Sequence, residues 1–407
     1  MVNCRGCDSK LSLTLLNLGL TPIANNLLKD PNFDRQNQYY PLHAMTCENC
    51  ALVQLSESLP REIIFNPDYV YYSSTSISWL NHSKLYAQKM VKMLSLNQND
   101  LVVEVASNDG YLLQFFQELG VSVIGIEPAL GVAQSAIKKG IPTIIKFFGQ
   151  SLALDLACSQ KPKLIIGNNV LAHVPDLHDF LSGVATLISN EGVITFEFPQ
   201  LVNLLKNSQF DTIYHEHYSY LSITALMPLL KLHKLKVFEV EKLSSHGGSV
   251  RVFLAKHNSK WEISQTVQEA LVEESQFDPR DEKIYKSLQI KVNKIKSDLL
   301  NELFKHKENN RKIAGYGAAA KGTTLLNYCG IKSDLIDYIV DLNPNKQGRF
   351  IPGSLLPIVD PTMLISSRPD ILLVLPWNLS TEIKMQLNNQ IELGTRLMRA
   401  IPKVEYF

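Results

Sequence analysis

The chain of 407 residues has globular composition, with 45% hydrophobic and 19% charged residues, which excludes a disordered or fibrous polypeptide. Forty basic residues against thirty-nine acidic ones leave a net charge of +1, so nothing in the overall charge favours nucleic acid or an anionic membrane as a partner. No apolar run approaches the roughly 20 residues of a bilayer span, and the start of the chain lacks the layout of a secretory signal; a cytoplasmic, monomeric protein is expected.

In chain order, residues 1–60 carry two Cys-x-x-Cys pairs, Cys4/Cys7 and Cys47/Cys50. Each pair can wrap one face of a tetrahedral ion, and four thiolates make a closed zinc site with no position left for substrate. Cys158 and Cys329 stand alone in apolar contexts and read as small core residues. A mixed segment follows, with a tyrosine- and serine-rich stretch over residues 68–74 and an amphipathic helix over 79–94.

From residue 101 short apolar runs alternate with helical stretches: 101–105, 121–126, 163–166, 192–198, 236–241 and 249–254. Alternating strands and helices imply a parallel sheet covered on both faces. The last two runs are joined by a short turn and should pair antiparallel. About seven strands with such a final hairpin resemble a class I methyltransferase. Residues 259–310 read as helices with a solvated charged face, Ile284, Leu288, Val292, Ile295 and Leu299 recurring at helical spacing. A second α/β unit, Rossmann-like, spans 311–407, with strands at 312–314 and 335–340. The expected domains are therefore 1–60, 61–258 and 311–407, linked by the helices.

The first strand of the central unit ends in Glu104-Val105-Ala106-Ser107-Asn108-Asp109-Gly110, and Glu127 closes the second. Small and polar residues at a strand end bring backbone N–H groups to a ligand, and the acid can accept from both ribose hydroxyls of a nucleoside cofactor. Asn168, Asn169 and His173 follow the fourth strand. Tyr214-His215-Glu216-His217 then sets imidazole, phenol and carboxylate side by side, which is acid–base equipment. In the last unit, Gly315-Tyr316-Gly317 and Asp341 imitate a dinucleotide fingerprint. Three readings stand: a nicotinamide site of an oxidoreductase or epimerase, a diphosphate site using Gly317 and Lys321, and a structural turn.

Taken together, the cysteine pairs, the Glu104–Gly110 loop, Asn169-Val170-Leu171-Ala172-His173, Tyr214–His217, Ser245-His246-Gly247-Gly248 and the late glycine-rich and Asp341–Arg349 motifs resemble the sugar C-methyltransferases, which methylate C3 of nucleotide-linked 4-keto-deoxyhexoses. The likeness covers nearly the whole chain. It implies an α/β protein with a small zinc-binding domain, a central class I domain using S-adenosylmethionine (SAM), and a C-terminal Rossmann-like domain. It implies catalytic roles for His173, Tyr214, Glu216 and His217, with His217 as base and Glu216 orienting it, and for a tyrosine near residue 71. Tyr71 is chosen, with Tyr69 and Tyr72 as competitors, and His215 remains open beside His217. Cofactor contacts fall to Glu104, Ser107, Asn108, Asp109, Gly110, Glu127, Asn168 and Asn169. Nucleotide-sugar contacts fall to His246, Gly317, Lys321, Asn343 and Arg349.

Overall fold

The computed structural model describes residues 2–32, 38–64 and 72–407, so Tyr69 and Tyr71 lie outside the described residues. Three sheets organise the described residues. The first is antiparallel and runs Leu13–Thr21, Tyr40–Thr46, Val53–Leu55, Ser219–Tyr220. Its last strand comes from the middle of the chain, directly after Tyr214–His217, with Val53 opposite Tyr220 and Gln54 opposite Ser219.

The second sheet has seven strands in the order Leu235–Leu243, Ser249–Lys256, Val193–Pro199, Leu164–Asn168, Leu101–Val105, Ser122–Ile126, Thr143–Ile144. Ser249–Lys256 runs antiparallel to both its neighbours and the other pairings are parallel, which is the class I layout expected from the sequence. Leu101–Val105 and Leu164–Asn168 are buried throughout, as central parallel strands covered by helices must be. The edge strand Thr143–Ile144 has two residues and left no pattern to read. Ile77–Leu94 forms the amphipathic helix, started by Ser76 accepting from the Trp79 N–H.

The third sheet runs Ile358–Val359, Ile339–Val340, Ile313–Tyr316, Ile371–Val374, Arg396–Arg399, Glu405–Tyr406, parallel except for the last strand. The strand anticipated over 335–340 shrinks to Ile339–Val340. Helix Glu282–Glu308 buries Leu288, Val292, Ile295, Leu299 and Leu303 in one core with Leu15, Leu16 and Leu42 of the first sheet and Ile313 and Leu373 of the third. This helix therefore joins two sheets through a shared core. Cys329 is buried as anticipated, whereas Cys158 is exposed at the end of helix Gln150–Ala157, a correction to its reading as core.

A buried ion network ties the second sheet to the helix above it. Glu197 accepts from the Arg251 guanidinium (2.6 Å), from His82 Nε2 (2.9 Å) and from Ser245 Oγ (2.8 Å), and the guanidinium also lies over the Tyr86 ring. Burial alone would raise the Glu197 carboxyl; the His82 hydrogen bond and the Arg251 charge bring it down to about 2. Removing one partner of such a pair strands a charge out of water. Arg251→Met should cost roughly 3 kcal/mol of stability, measured by urea unfolding, and Glu197→Gln added to it should restore part of the loss.

Candidate active site

The carboxyl ends of the central strands open onto a cavity of about 660 Å³ that the third sheet closes from the other side. Beyond Val105 the backbone is left-handed at Ala106 (φ 53°), Asn108 (φ 50°) and Gly110 (φ 78°). Three alternate positions thus hold a conformation that glycine adopts freely, although only one of them is glycine. Forcing alanine there costs about 1–2 kcal/mol, whereas asparagine tolerates it with a local hydrogen bond. Asn108 is instead held from outside the loop, its Oδ1 accepting from the Ser73 N–H at 2.8 Å. The loop keeps its tight approach without the glycines that usually permit it.

Glu127 accepts from the N–H groups of Asn108 (3.0 Å) and Ala129 (2.8 Å), and burial pushes its carboxyl up to about 7. Asn108, Glu127, Asn168 and Asn169 all line the cavity. Among the described residues, the Oδ1 atoms of Asn168 and Asn169 are buried without a hydrogen-bond partner, ready acceptors for a ligand. Glu104, Ser107, Asp109 and Gly110 stand behind this wall. Glu104 is fully buried, which raises its carboxyl well above the usual range, Asp109 is paired with Lys139 (3.1 Å) and Ser74, and Ser107 packs on Gly125. These four build the loop without reaching the cavity.

Opposite lie the imidazoles. His217 donates from Nδ1 to the Thr212 carbonyl (2.9 Å), which leaves Nε2 as the acceptor, and Nε2 is 2.9 Å from the Tyr214 hydroxyl. His173 donates from Nδ1 to the Glu216 carbonyl (2.7 Å), with the two imidazole centres 4.7 Å apart. Burial takes His173 down to about 4; burial and the His173 charge take His217 well below the usual histidine range. Both rings are therefore neutral at pH 7. The expected orientation of His217 by Glu216 is replaced by the Thr212 carbonyl, because the chain turns back between Tyr214 and His217. The Glu216 carboxyl is instead held by Asn25 Nδ2 (2.7 Å), and burial raises it to about 7. His215 is buried edge-on against Tyr40 and does not line the cavity, so His217 is the imidazole that faces it.

From the hairpin and the third sheet, His246 and Lys321 complete the wall. His246 accepts from Asn169 Nδ2 (3.1 Å) and meets Trp79 edge-on. Lys321, in the first turn of helix Ala320–Cys329, donates to Asn378 Oδ1 (2.9 Å) and lies over the Trp377 ring, whose N–H donates to Asp211. Burial draws the Lys321 ammonium down to about 8, opposed by Asp211. Gly317 does not reach the cavity: a side chain there would strike Pro376 at 2.6 Å, so the glycine serves packing. Asn343 and Arg349 also lie off the cavity wall, and Lys346 from the same loop occupies it, donating to the Ala318 carbonyl at 2.8 Å. The Asp341 carboxylate accepts from the Ala318 and Asn343 N–H groups, as Glu127 does from its own pair, but unlike Glu127 it does not line the cavity. Ser73, Ser76 and Trp79, just beyond the undescribed tyrosines, line the same space, as do Asn25 and Lys346; none of these was anticipated.

Family models match three stretches of the chain: a zinc binding domain over residues 4–65, a methyltransferase domain over 79–240 and a C-methyltransferase C-terminal domain over 244–402. The C-methyltransferase NovU of Streptomyces niveus is 34% identical over 401 residues, spanning 98% of this chain and 95% of that protein. The chain belongs to the C-methyltransferase family. Among solved structures, the PH0226 protein of Pyrococcus horikoshii aligns with a TM-score of 0.37 at 14% identity, over 46% of this chain and 95% of that one. The magnesium protoporphyrin IX methyltransferase of Synechocystis with bound SAM aligns with a TM-score of 0.36 at 13% identity, over 49% and 99%.

The enzyme is a SAM-dependent C-methyltransferase. The donor set fits the cofactor: a buried carboxylate on backbone N–H groups for the ribose, and two unsatisfied amide oxygens beside it. The zinc site fits equally. The sulfurs of Cys4, Cys7, Cys47 and Cys50 all lie within 4.8 Å of one another, with Cys4–Cys50 and Cys7–Cys47 each at 3.5 Å, the spacing of a tetrahedral thiolate set. Among the described residues no helix is long and apolar enough to cross a membrane.

Two expected outcomes follow from these geometries. Metal analysis of the reduced protein should give one zinc per chain, and Cys47→Ser should abolish it and lower the melting temperature. Glu127 should accept from the cofactor ribose best as a carboxylate. Because its folded carboxyl is raised to about 7, the charged fraction falls as the pH drops below that value. SAM affinity measured by calorimetry should therefore weaken about tenfold per unit below pH 7, and Glu127→Gln should bind weakly at every pH.

Proposed function

We propose that this C-methyltransferase methylates C3 of a nucleotide-linked 4-keto-deoxyhexose through an enolate. The observation that carries the reading is the chain Thr212 carbonyl–His217–Tyr214, which fixes a neutral imidazole tautomer in the cavity that also holds the cofactor edge. A carbon nucleophile must be generated before carbon can be methylated, and a C–H beside a carbonyl is the ring position acidic enough to allow it. Two lysines support an anionic substrate. Lys321 and Lys346 face the cavity from the third sheet, and Lys321 is hydrogen-bonded to a neutral amide there. A diphosphate suits two such cations beside a helix start.

SAM, when bound, supplies an electrophilic methyl group. The chain's own part is proton transfer and placement. Tyr214 turns its hydroxyl from His217 to the keto oxygen, which releases the Nε2 lone pair to the C3 proton. Nε2 takes that proton and the C3–H electrons form the C3=C4 enolate; as C3 then bonds to the methyl carbon, the C4 carbonyl re-forms, and the electrons of the broken methyl–sulfur bond would leave on the thioether sulfur of the demethylated cofactor. His173, also protonated on Nδ1, has an acceptor at Nε2 and suits a sugar hydroxyl better than the keto oxygen, which leaves that oxygen to Tyr214. The burial of these imidazoles strengthens each of these hydrogen bonds.

His217→Asn should bind cofactor and sugar nucleotide normally and lose turnover by roughly 100- to 10,000-fold. Deuterium exchange at C3, followed by NMR without cofactor, should vanish with it. Persistent exchange in a variant unable to methylate would move the base to Tyr214 or His173.

A further inference from the structure

Arg5 stands between two zinc ligands, Cys4 and Cys7, yet its side chain leaves the metal site. Nη1 donates to the Tyr218 carbonyl at 2.5 Å, and Nη2 donates to the Leu55 carbonyl at 3.3 Å and to Ser58 Oγ. The knuckle is fastened to the same strand pair a second time. The Arg5 N–H donates to Gln54 Oε1 at 2.8 Å, Gln54 Nε2 returns to the Asn3 carbonyl, and Gln54 lies opposite Ser219 in the sheet. Tyr218 follows His217 directly, and its hydroxyl donates to the Leu59 carbonyl at 2.6 Å. A charged donor on a buried carbonyl is among the stronger hydrogen bonds a protein makes.

We infer that Arg5 is a positioning residue through which the metal-bound knuckle fixes the segment carrying Tyr214 and His217. The zinc module then has a catalytic consequence without touching substrate. Metal binding sets the knuckle's backbone, the knuckle aims the guanidinium, and the guanidinium holds the peptide unit next to His217. Misplacing a reacting group by about 1 Å can cost on the order of 100-fold in rate. The inference rests on the proposed role of His217, which His217→Asn tests separately.

The experiment uses the full-length, zinc-loaded chain with Arg5→Met and Arg5→Lys. Arg5→Met should keep one zinc and unchanged SAM affinity by calorimetry, and keep KM for the sugar nucleotide within about threefold, while kcat falls about 100-fold. Arg5→Lys, which retains a charged donor, should recover about a tenth to a half of wild-type kcat. A readout independent of turnover is ethoxycarbonylation of histidines by diethyl pyrocarbonate, located by mass spectrometry. His217 should become markedly more reactive in Arg5→Met, with His246 of the same cavity unchanged. Wild-type kcat and His217 reactivity in Arg5→Met would overturn the inference, and so would equal acceleration at His217 and His246. Loss of zinc in Arg5→Met would leave Arg5→Lys to decide: zinc-loaded Arg5→Lys with the reduced kcat expected above and raised His217 reactivity supports positioning, whereas wild-type kcat and reactivity there, or loss of zinc there too, refutes it. If His217→Asn turns over normally, the underlying reading fails whatever Arg5 does.

Discussion

The segment 212–220 is gripped by all three sheets at once, and the geometry of the site depends on that grip. Ser219–Tyr220 pairs with Val53 and Gln54 of the zinc module. The Glu216 carbonyl takes the His173 imidazole from the central sheet. The Ile213 carbonyl takes Thr324 Oγ1, at 3.0 Å, from the first helix of the third unit, Ala320–Cys329. A backbone carbonyl that is buried has to be paired, so each of these contacts fixes a peptide unit as well as a side chain. With both flanks pinned, the turn at Tyr214–His217 has little freedom, and the imidazole keeps one tautomer.

Burial sets the charge states inside that frame. The same desolvation that neutralises His173 and His246, each down to about 4, lifts Glu216 to about 7 and draws Lys321 to about 8. For the two histidines the sign is unambiguous. Their folded values lie below the unfolded one, so they bind protons on unfolding, and their contribution to stability is lost between about pH 6.5 and 4 as the medium acidifies. Glu216 works in the opposite sense, since its raised carboxyl costs stability as pH climbs from its ordinary value to about 7. A cavity poised this way keeps neutral imidazoles beside a half-ionised carboxyl and a charged lysine near pH 7.

Much of this was legible where the chemistry is local. Cys-x-x-Cys knuckles carry their own geometry, and Glu127 is an acid at a strand end, a position that periodicity marks. The antiparallel hairpin followed from a short turn between two apolar runs. His215 and His217 could not be told apart because two residues of spacing would put both on one face of a strand; the turn at Tyr214–His217 is what separates them. Lys346 and Arg349 sit in one irregular loop, with no period to say which cation points inward. Glu216 looked like the natural partner of its neighbour His217, but a backbone carbonyl from Thr212 reached Nδ1 first, and carbonyls are invisible in side-chain patterns. The left-handed Ala106 and Asn108 concealed a glycine-loop geometry behind residues that rarely adopt it.

The borrowed fourth strand of the first sheet also imposes an order on biosynthesis. Residues 13–55 emerge early, but the outer edge of Val53–Leu55, whose other edge pairs with Tyr40–Thr46, stays unpaired until Ser219–Tyr220 has left the ribosome. At roughly 5–20 residues per second, that wait lasts on the order of ten to thirty seconds. Throughout it the nascent chain displays an unpaired strand edge, the kind of surface that recruits foreign strands. The metal-binding module is thus completed by a segment of the catalytic domain, and neither can finish folding before the other has been made.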